Sequence, residues 1–465
     1  MALSRTKDLD VLKSYAQKNA LKRSLGALDI TLLGIGVIIG AGIFVLTGRA
    51  AATHAGPAIM LSFALSSFVV AMVCIAYCEL SSVIPIAGSA YTYTYVSIGE
   101  LMAWMVGWAL ILEYTVGASA VAGGWSAYLV GLLSQAGIIL PKYLTSVYAD
   151  GGFVNLPAMA ITVFITWLLV RGIRESAIVN RTLVAIKLVA IFIFLFIAGP
   201  KVDPLNWEPF FPYGKAGITA GAAVIFFSYL GVDSLATAAE ETKNPQKNMP
   251  IGIIASIVIC TILYIAVAAV MTGATKYTNL DTSEPVAFVL RNMGYNFGSA
   301  LVGVGAVAGL STVCLVMIYA QTRAFYAMSR DGLIPEGLCK IHPKYGTPHI
   351  ITIFVGAAVT ILTGFLPVGL VAELCNVGTL FAFIVTTSGL LVLRKRKPDL
   401  ERPFICPAPW LLVPVAVLCC LFIMFSLPSL TLYLFFGWAA LGLIVYFIYG
   451  YSHSNLARAV SDDKG

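Results

Sequence analysis

The sequence predicts an all-α integral membrane protein with twelve transmembrane helices, arranged as two five-helix inverted repeats and a final pair. Three observations carry this. The 465-residue chain is 59% hydrophobic and only 11% charged, with a mean hydropathy of +0.90, whereas an ordinary soluble domain is about 25% charged. At roughly 20 residues per crossing, twelve apolar segments fit. They lie near 28–52, 57–82, 99–132, 156–171, 177–199, 216–239, 250–272, 297–327, 348–365, 370–393, 410–427 and 430–450. Glycines interrupt the first segment at 40–42, and FFSYLGVDS interrupts the sixth at 226–234. Unpaired backbone groups in hydrocarbon cost several kcal/mol each, so the spans should be helices. The alternation of a membrane barrel is absent.

In chain order, residues 1–27 read as a polar, basic cytoplasmic segment. They lack the pattern of a cleavable signal, and the first apolar run has the length of a span. Segments one to five (28–199) make the first repeat, and six to ten (216–393) the second. Because five is odd, the halves insert with opposite orientation, as an inverted repeat requires. Helices eleven and twelve (410–450) fall outside the repeat, and 451–465 is a cytoplasmic tail.

Charge sets the orientation. Of the 29 Lys and Arg residues, 22 lie in loops of one face, which places both termini in the cytoplasm. The net charge of +7 therefore follows from topology and implies no nucleic-acid partner. The run Arg394-Lys395-Arg396-Lys397 reads as a topology anchor, with a contact to anionic membrane lipid as the lesser reading. None of the nine cysteines falls in an outward loop, so no disulfide framework is expected, and no Cys/His spacing resembles a metal site.

Glycine costs roughly 1 kcal/mol against alanine in a helix interior, so the break in GIGVIIGAGIF (34–44) needs a reason. A half-helix starting near Ala41 would turn free N–H groups at Gly40, Ala41, Gly42 and Ile43, and a positive dipole end, toward a carboxylate. The half-helix ending near Ile38 would offer carbonyls to an ammonium group. Carbonyls of Phe227, Ser228 and Leu230 would complete that site. Together they form a receptor for a zwitterion that needs no charged side chain. The plainer reading is close helix packing through patterns such as Gly36-xxx-Gly40. A second break at the symmetric position favours the binding site.

Five motifs in order now carry a resemblance: GIGVIIGAGIF, YCELSSVIPIAGSAYTYTYVSIGE (77–100), GWALILEY (107–114), FFSYLGVDSLATAAEETKNPQKNMP (226–250) and QTRAFYAMSRDGLIP (321–335). Together they resemble the amino acid–polyamine–organocation superfamily, most nearly the bacterial homologues of its cationic amino acid transporter family. The resemblance implies the leucine-transporter fold, alternating access, and amino acid transport driven by protons or by exchange, in a bacterial inner membrane.

It also bears on single residues. Lys187 lies in the fifth segment, where a charge at bilayer depth costs at least ~2.5 kcal/mol. In proton-coupled relatives a lysine at this position sits beside the first broken helix, where sodium-coupled relatives hold their cation. That implies a proton-coupling Lys187, in place of sodium at Ser311 and Thr312; the plainer reading is a fixed cation tying helices one, five and eight together. Glu113 is either its proton-exchange partner, part of the outward water path, or a carboxylate satisfied by hydroxyls such as Tyr114. Asp233 is expected to cap the second half-helix, and Glu79, Glu240 and Glu241 to form ion pairs at an inner gate.

Phe227 resembles the aromatic that covers bound substrate, and Met317 the position facing its side chain; a core role is the default for both. Bulk at Met317 disfavours a long cationic side chain, so small neutral L-amino acids such as alanine are expected. Protons are the expected coupling ion, with no other cofactor. A small accessory subunit or bound sterol or lipid is left undetermined. An exchanger and a cationic amino acid transporter remain open as alternatives. A channel or a non-transporting amino acid sensor is the rival from another class, and an enzyme is disfavoured because no nucleophile–base motif stands out.

Overall fold

The computed structural model describes residues 5–7, 25–84, 89–172, 177–233, 235, 238 and 241–462. Among these the ordered elements are helices joined by turns and loops, with three isolated β-bridges. The helices used below are α1 (Ala27–Ile38), α2 (Ile59–Val83), α3 (Ser89–Ser97), α4 (Glu100–Gln135), α5 (Leu156–Val170) and α6 (Ala177–Ala198). They continue as α7 (Gly214–Ile225), α8 (Pro245–Ala274), α9 (Pro285–Asn292), α10 (Asn296–Arg330), α11 (His349–Phe365) and α12 (Val368–Arg396). Last come α13 (Pro409–Phe425), α14 (Ser429–Val445) and α15 (Asn455–Asp462).

Among the described residues, 7 stretches are long and apolar enough to cross a membrane. Leu156–Val170, His349–Phe365 and Pro409–Phe425 are apolar but shorter. The first long stretch, Ala27–Val83, is interrupted at Ile39, where ψ swings to 98°, and again at Gly56, where φ is +61°. The structure therefore ends the first apolar segment as a continuous helix at Ile38.

Helix α4 is the hub. It is buried along most of its 36 residues and packs against α10 and α12. Helix α8 packs on α1 and α2, α5 on α11, and α6 on α10. Side chains such as Leu411, Phe422, Phe425 and Tyr433 on α13 and α14 point outward, as an apolar solvent allows. In water such a surface would drive aggregation.

One end of the bundle is tied by buried charge. Glu79 of α2 is fully buried and receives Arg394 Nε at 2.9 Å and Nη2 at 2.6 Å. Arg402 Nε approaches it at 3.3 Å, and the Cys406 N–H donates to it at 2.7 Å. The ion pairing expected of Glu79 is present. The basic run expected as a topology anchor also makes contacts within the protein: Arg394 belongs to this clasp, and Arg396 donates to the carbonyls of Ser97 and Ile98. Glu241 contributes its carbonyl to the Leu25 N–H at 3.0 Å, whereas Glu240 lies outside the described residues.

Candidate functional site

The first break begins where Ile39 donates its last helical hydrogen bond to the Ile35 carbonyl at 3.0 Å and then turns extended. Helical turns resume at Gly42, and the Phe44 N–H reaches back to the Gly40 carbonyl at 3.3 Å. Among the described residues, the N–H groups of Gly40, Ala41, Gly42 and Ile43 donate to no backbone carbonyl. All four residues are buried. These are the orphan donors of a helix start, held inside the protein and away from water.

The second break follows α7. A tight turn over Phe226–Tyr229 ends at Leu230, which is extended, and Gly231 takes a φ of +83° that glycine alone adopts without strain. The Phe227 carbonyl is not free, because the Leu230 N–H donates to it at 3.2 Å. Ser228 keeps a buried hydroxyl without a hydrogen-bond partner among the described residues.

Gly42 joins the two breaks. A Cβ there would collide with both the side chain and the backbone of Ser228, so only glycine lets the two interrupted segments touch. Gly34 packs equally tightly on Ser256 of α8, which is a packing role only. The breaks also share a partner that the sequence did not point to. Tyr264 of α8 donates to the Ile38 carbonyl at 2.7 Å and to the Ser228 carbonyl at 3.0 Å. One hydroxyl hydrogen is thus shared between a carbonyl from each break.

Lys187 of α6 is fully buried and donates to the Gly36 carbonyl at 2.5 Å. Its aliphatic stem lies against Gly309 of α10, where a Cβ would stand 2.8 Å from Lys187 Cγ. The structure therefore brings α1, α6 and α10 together at this amine. Ser311 and Thr312, one turn away on α10, spend their hydroxyls on the Val307 and Gly309 carbonyls.

Glu113 of α4 is also buried, and neither carboxylate oxygen meets a hydrogen-bond partner among the described residues. Asp233 and Thr379 stand close to it, and Cys375 donates to its backbone carbonyl at 3.0 Å. Tyr114 does not satisfy Glu113; it donates to Asp233 Oδ2 at 2.8 Å. Asp233 in turn accepts the Ser89 hydroxyl on its backbone carbonyl at 2.9 Å. Phe227 is buried beside the second break. Met317 is buried against Gly117 of α4, next to the Cys375 sulfur.

The model of the amino acid permease family matches residues 25–450, which takes in both breaks, Lys187 and Glu113. The chain belongs to the amino acid permease family. This places it within the superfamily whose motifs it resembles. This permease is 45% identical to a branched-chain amino acid permease of Bacillus subtilis, over 96% of this chain and 97% of the relative. It is 44% identical to a methylthioribose transporter of the same organism, over 98% of this chain and 100% of the relative. A vacuolar cationic amino acid transporter of Arabidopsis thaliana is 37% identical, over 82% of this chain and 64% of the relative. The permease is accordingly a multi-pass membrane protein of a transporter family.

Proposed function

We propose that this permease is a proton-coupled importer of neutral aliphatic L-amino acids in a bacterial cell membrane, working by alternating access across twelve spans. One observation carries the reading. Buried N–H groups at Gly40, Ala41, Gly42 and Ile43 and the carbonyls of Ile38 and Ser228 meet where Gly42 touches Ser228. Free N–H groups suit a carboxylate and clustered carbonyls suit an ammonium group. The pairing of α2 with α8, α4 with α10 and α5 with α11 matches three helices of one five-helix half to their counterparts in the other. This supports the inverted repeat and the leucine-transporter fold. The branched-chain permease supports an aliphatic substrate, extending the expectation of alanine to larger side chains.

A second reading is favoured by the methylthioribose transporter. An uncharged thioether sugar would meet the same donors and acceptors through hydroxyls alone. Uptake of labelled alanine, leucine and methylthioribose by proteoliposomes separates the two. Saturable entry of an amino acid, accelerated by an inward proton gradient, is the expected result. Entry of methylthioribose without either amino acid overturns the substrate class, and indifference to the gradient overturns proton coupling.

Lys187 supplies the coupling in this reading, because protonation of its amine changes the bond it makes to the first broken helix. Lys187→Ala should lose the acceleration by the gradient while alanine or leucine still raises the melting temperature, since a ligand that binds the folded state stabilises it by mass action. An unchanged dependence on the gradient would reduce Lys187 to a structural tie.

A further inference from the structure

The outward face of α5 is grooved, and its residues belong to neither break. A cavity of about 660 Å³ is lined by Leu156, Met159, Ala160, Val163, Phe164 and Trp167, and by Thr360 of α11. The α5 residues recur at spacings of three and four, so they form one stripe along the helix. From Leu156 to Trp167 that stripe is about 16 Å long at the helical rise per residue, about half the thickness of a bilayer's hydrocarbon core. The Thr360 hydroxyl is engaged with Thr162 at 2.9 Å and with the Gly356 carbonyl at 2.7 Å. The groove therefore offers hydrocarbon contact and no free side-chain hydrogen bond.

One end of the groove is charged. The Arg171 guanidinium, just past the end of α5, lies 4.3 Å from the centre of the Trp167 ring. Stacking uses the face of the guanidinium and leaves its N–H edge able to donate. Among the described residues it forms no ion pair with a carboxylate. The Thr347 hydroxyl donates to the Val170 carbonyl at 2.7 Å, so the loop that carries Lys344 packs against the same end. The distribution of Lys and Arg puts this end on the cytoplasmic side, where anionic headgroups concentrate. Helices α5 and α11 have 15 and 17 residues, short of the roughly 20 that a span needs. A bilayer thins beside short spans, which brings headgroups down to the level of Arg171.

We propose that this groove binds one anionic diacyl phospholipid, its phosphate on Arg171 and one acyl chain laid along α5 toward Leu156. A guanidinium meets a phosphate through two parallel charge-assisted hydrogen bonds, and the apolar stripe takes the chain. Charge decides between occupants. A single-span helix of another protein carries its basic residues on the cytoplasmic side. A second copy, packed face to face about a twofold axis, sets its own Arg171 end beside the first. Both bring like charge to an end that already has an excess, whereas an anionic lipid brings the opposite charge. A choline lipid carries its own cation to Arg171 and fits less well. The site is independent of what the permease carries.

The test strips lipid from the purified full-length protein in detergent and follows its melting temperature against graded phosphatidylglycerol, phosphatidylcholine and glycerol phosphate. Phosphatidylglycerol should bind about tenfold more tightly than phosphatidylcholine, since each Lys or Arg near the headgroup contributes up to about fivefold. Glycerol phosphate has no chain for the groove and should give no shift over the same range. Arg171→Gln should cut the affinity for phosphatidylglycerol about fivefold and spare phosphatidylcholine. Ala160→Phe fills the groove without altering charge and should weaken both lipids. Both positions are exposed, so neither change disturbs the packed bundle. Equal affinity of the unaltered protein for the two lipids overturns the inference. A preference for phosphatidylglycerol that survives both substitutions also overturns it, by placing the lipid on another basic surface. Efficient disulfide cross-linking of Val163→Cys between two copies in phosphatidylglycerol vesicles assigns the groove to a dimer and overturns it as well.

Discussion

Two buried polar regions of this permease are built on opposite plans. Around Glu79, both carboxylate oxygens are taken up by Arg394, Arg402 and the Cys406 N–H. Around the breaks, the N–H groups of Gly40, Ala41, Gly42 and Ile43, the Ser228 hydroxyl and the Glu113 carboxylate are all left open among the described residues. A fully satisfied buried network rigidifies, whereas open polar groups are costly unless something comes to meet them. The first plan suits a tie between helices α2 and α12. The second suits a site that waits for a ligand. The difference separates structural polarity from functional polarity inside one bundle.

The sharpest way to break this contrast is Gly42→Ala. The added methyl drives Gly42 off Ser228, so the two breaks part and the donors no longer face the acceptors. Uptake should fall to background, a loss of about a hundredfold or more, as expected when reacting or binding groups are misplaced by an ångström. The protein should remain monodisperse in detergent, because the change lies in a region already short of bonds. Retained uptake would mean that the contact between the breaks does not make the site.

Next in size is Glu79→Ala. Removing one partner of a buried ion pair strands the other charges and costs about 3–5 kcal/mol. The melting temperature should drop markedly, while the affinity of the surviving folded protein for leucine or alanine stays unchanged. A variant that melts normally but fails to transport would move the Glu79 clasp from scaffold to machinery.

The same contrast explains what could be read from the chain beforehand. The breaks were legible because glycine, and an aromatic pair followed by glycine, are poor continuations of a spanning helix whatever surrounds them. Lys187 and Glu113 were legible because a charge in an apolar run is conspicuous by itself. Tyr264 was not: a tyrosine within a span is ordinary, and only the meeting of α8 with both breaks gives its hydroxyl two carbonyls. The pairing of Tyr114 with Asp233 instead of Glu113 was hidden for the same reason, since partners 119 positions apart depend on packing that local pattern does not encode. Arg394 was legible as part of a basic run, but its pairing with Glu79 was not, because that depends on how α2 and α12 pack.

Met317 is the smallest and most discriminating case, because it stands between the two plans. Its sulfur lies near Gly117 and Cys375, a packed setting, yet the helix it rides on also meets the first broken segment. If it lines the site, Met317→Ser opens room beside the substrate side chain and shifts the preference toward longer or cationic amino acids. A pocket change of a few methylenes is worth about tenfold in such a ratio. If it is core, the same change leaves a cavity, lowers the melting temperature and keeps the order of substrates. Competition of labelled alanine uptake by leucine, lysine and arginine, measured alongside melting, reads both effects at once. A changed order places Met317 with the open groups at the breaks; an unchanged order with a lower melting temperature places it with the closed packing of α4 and α10.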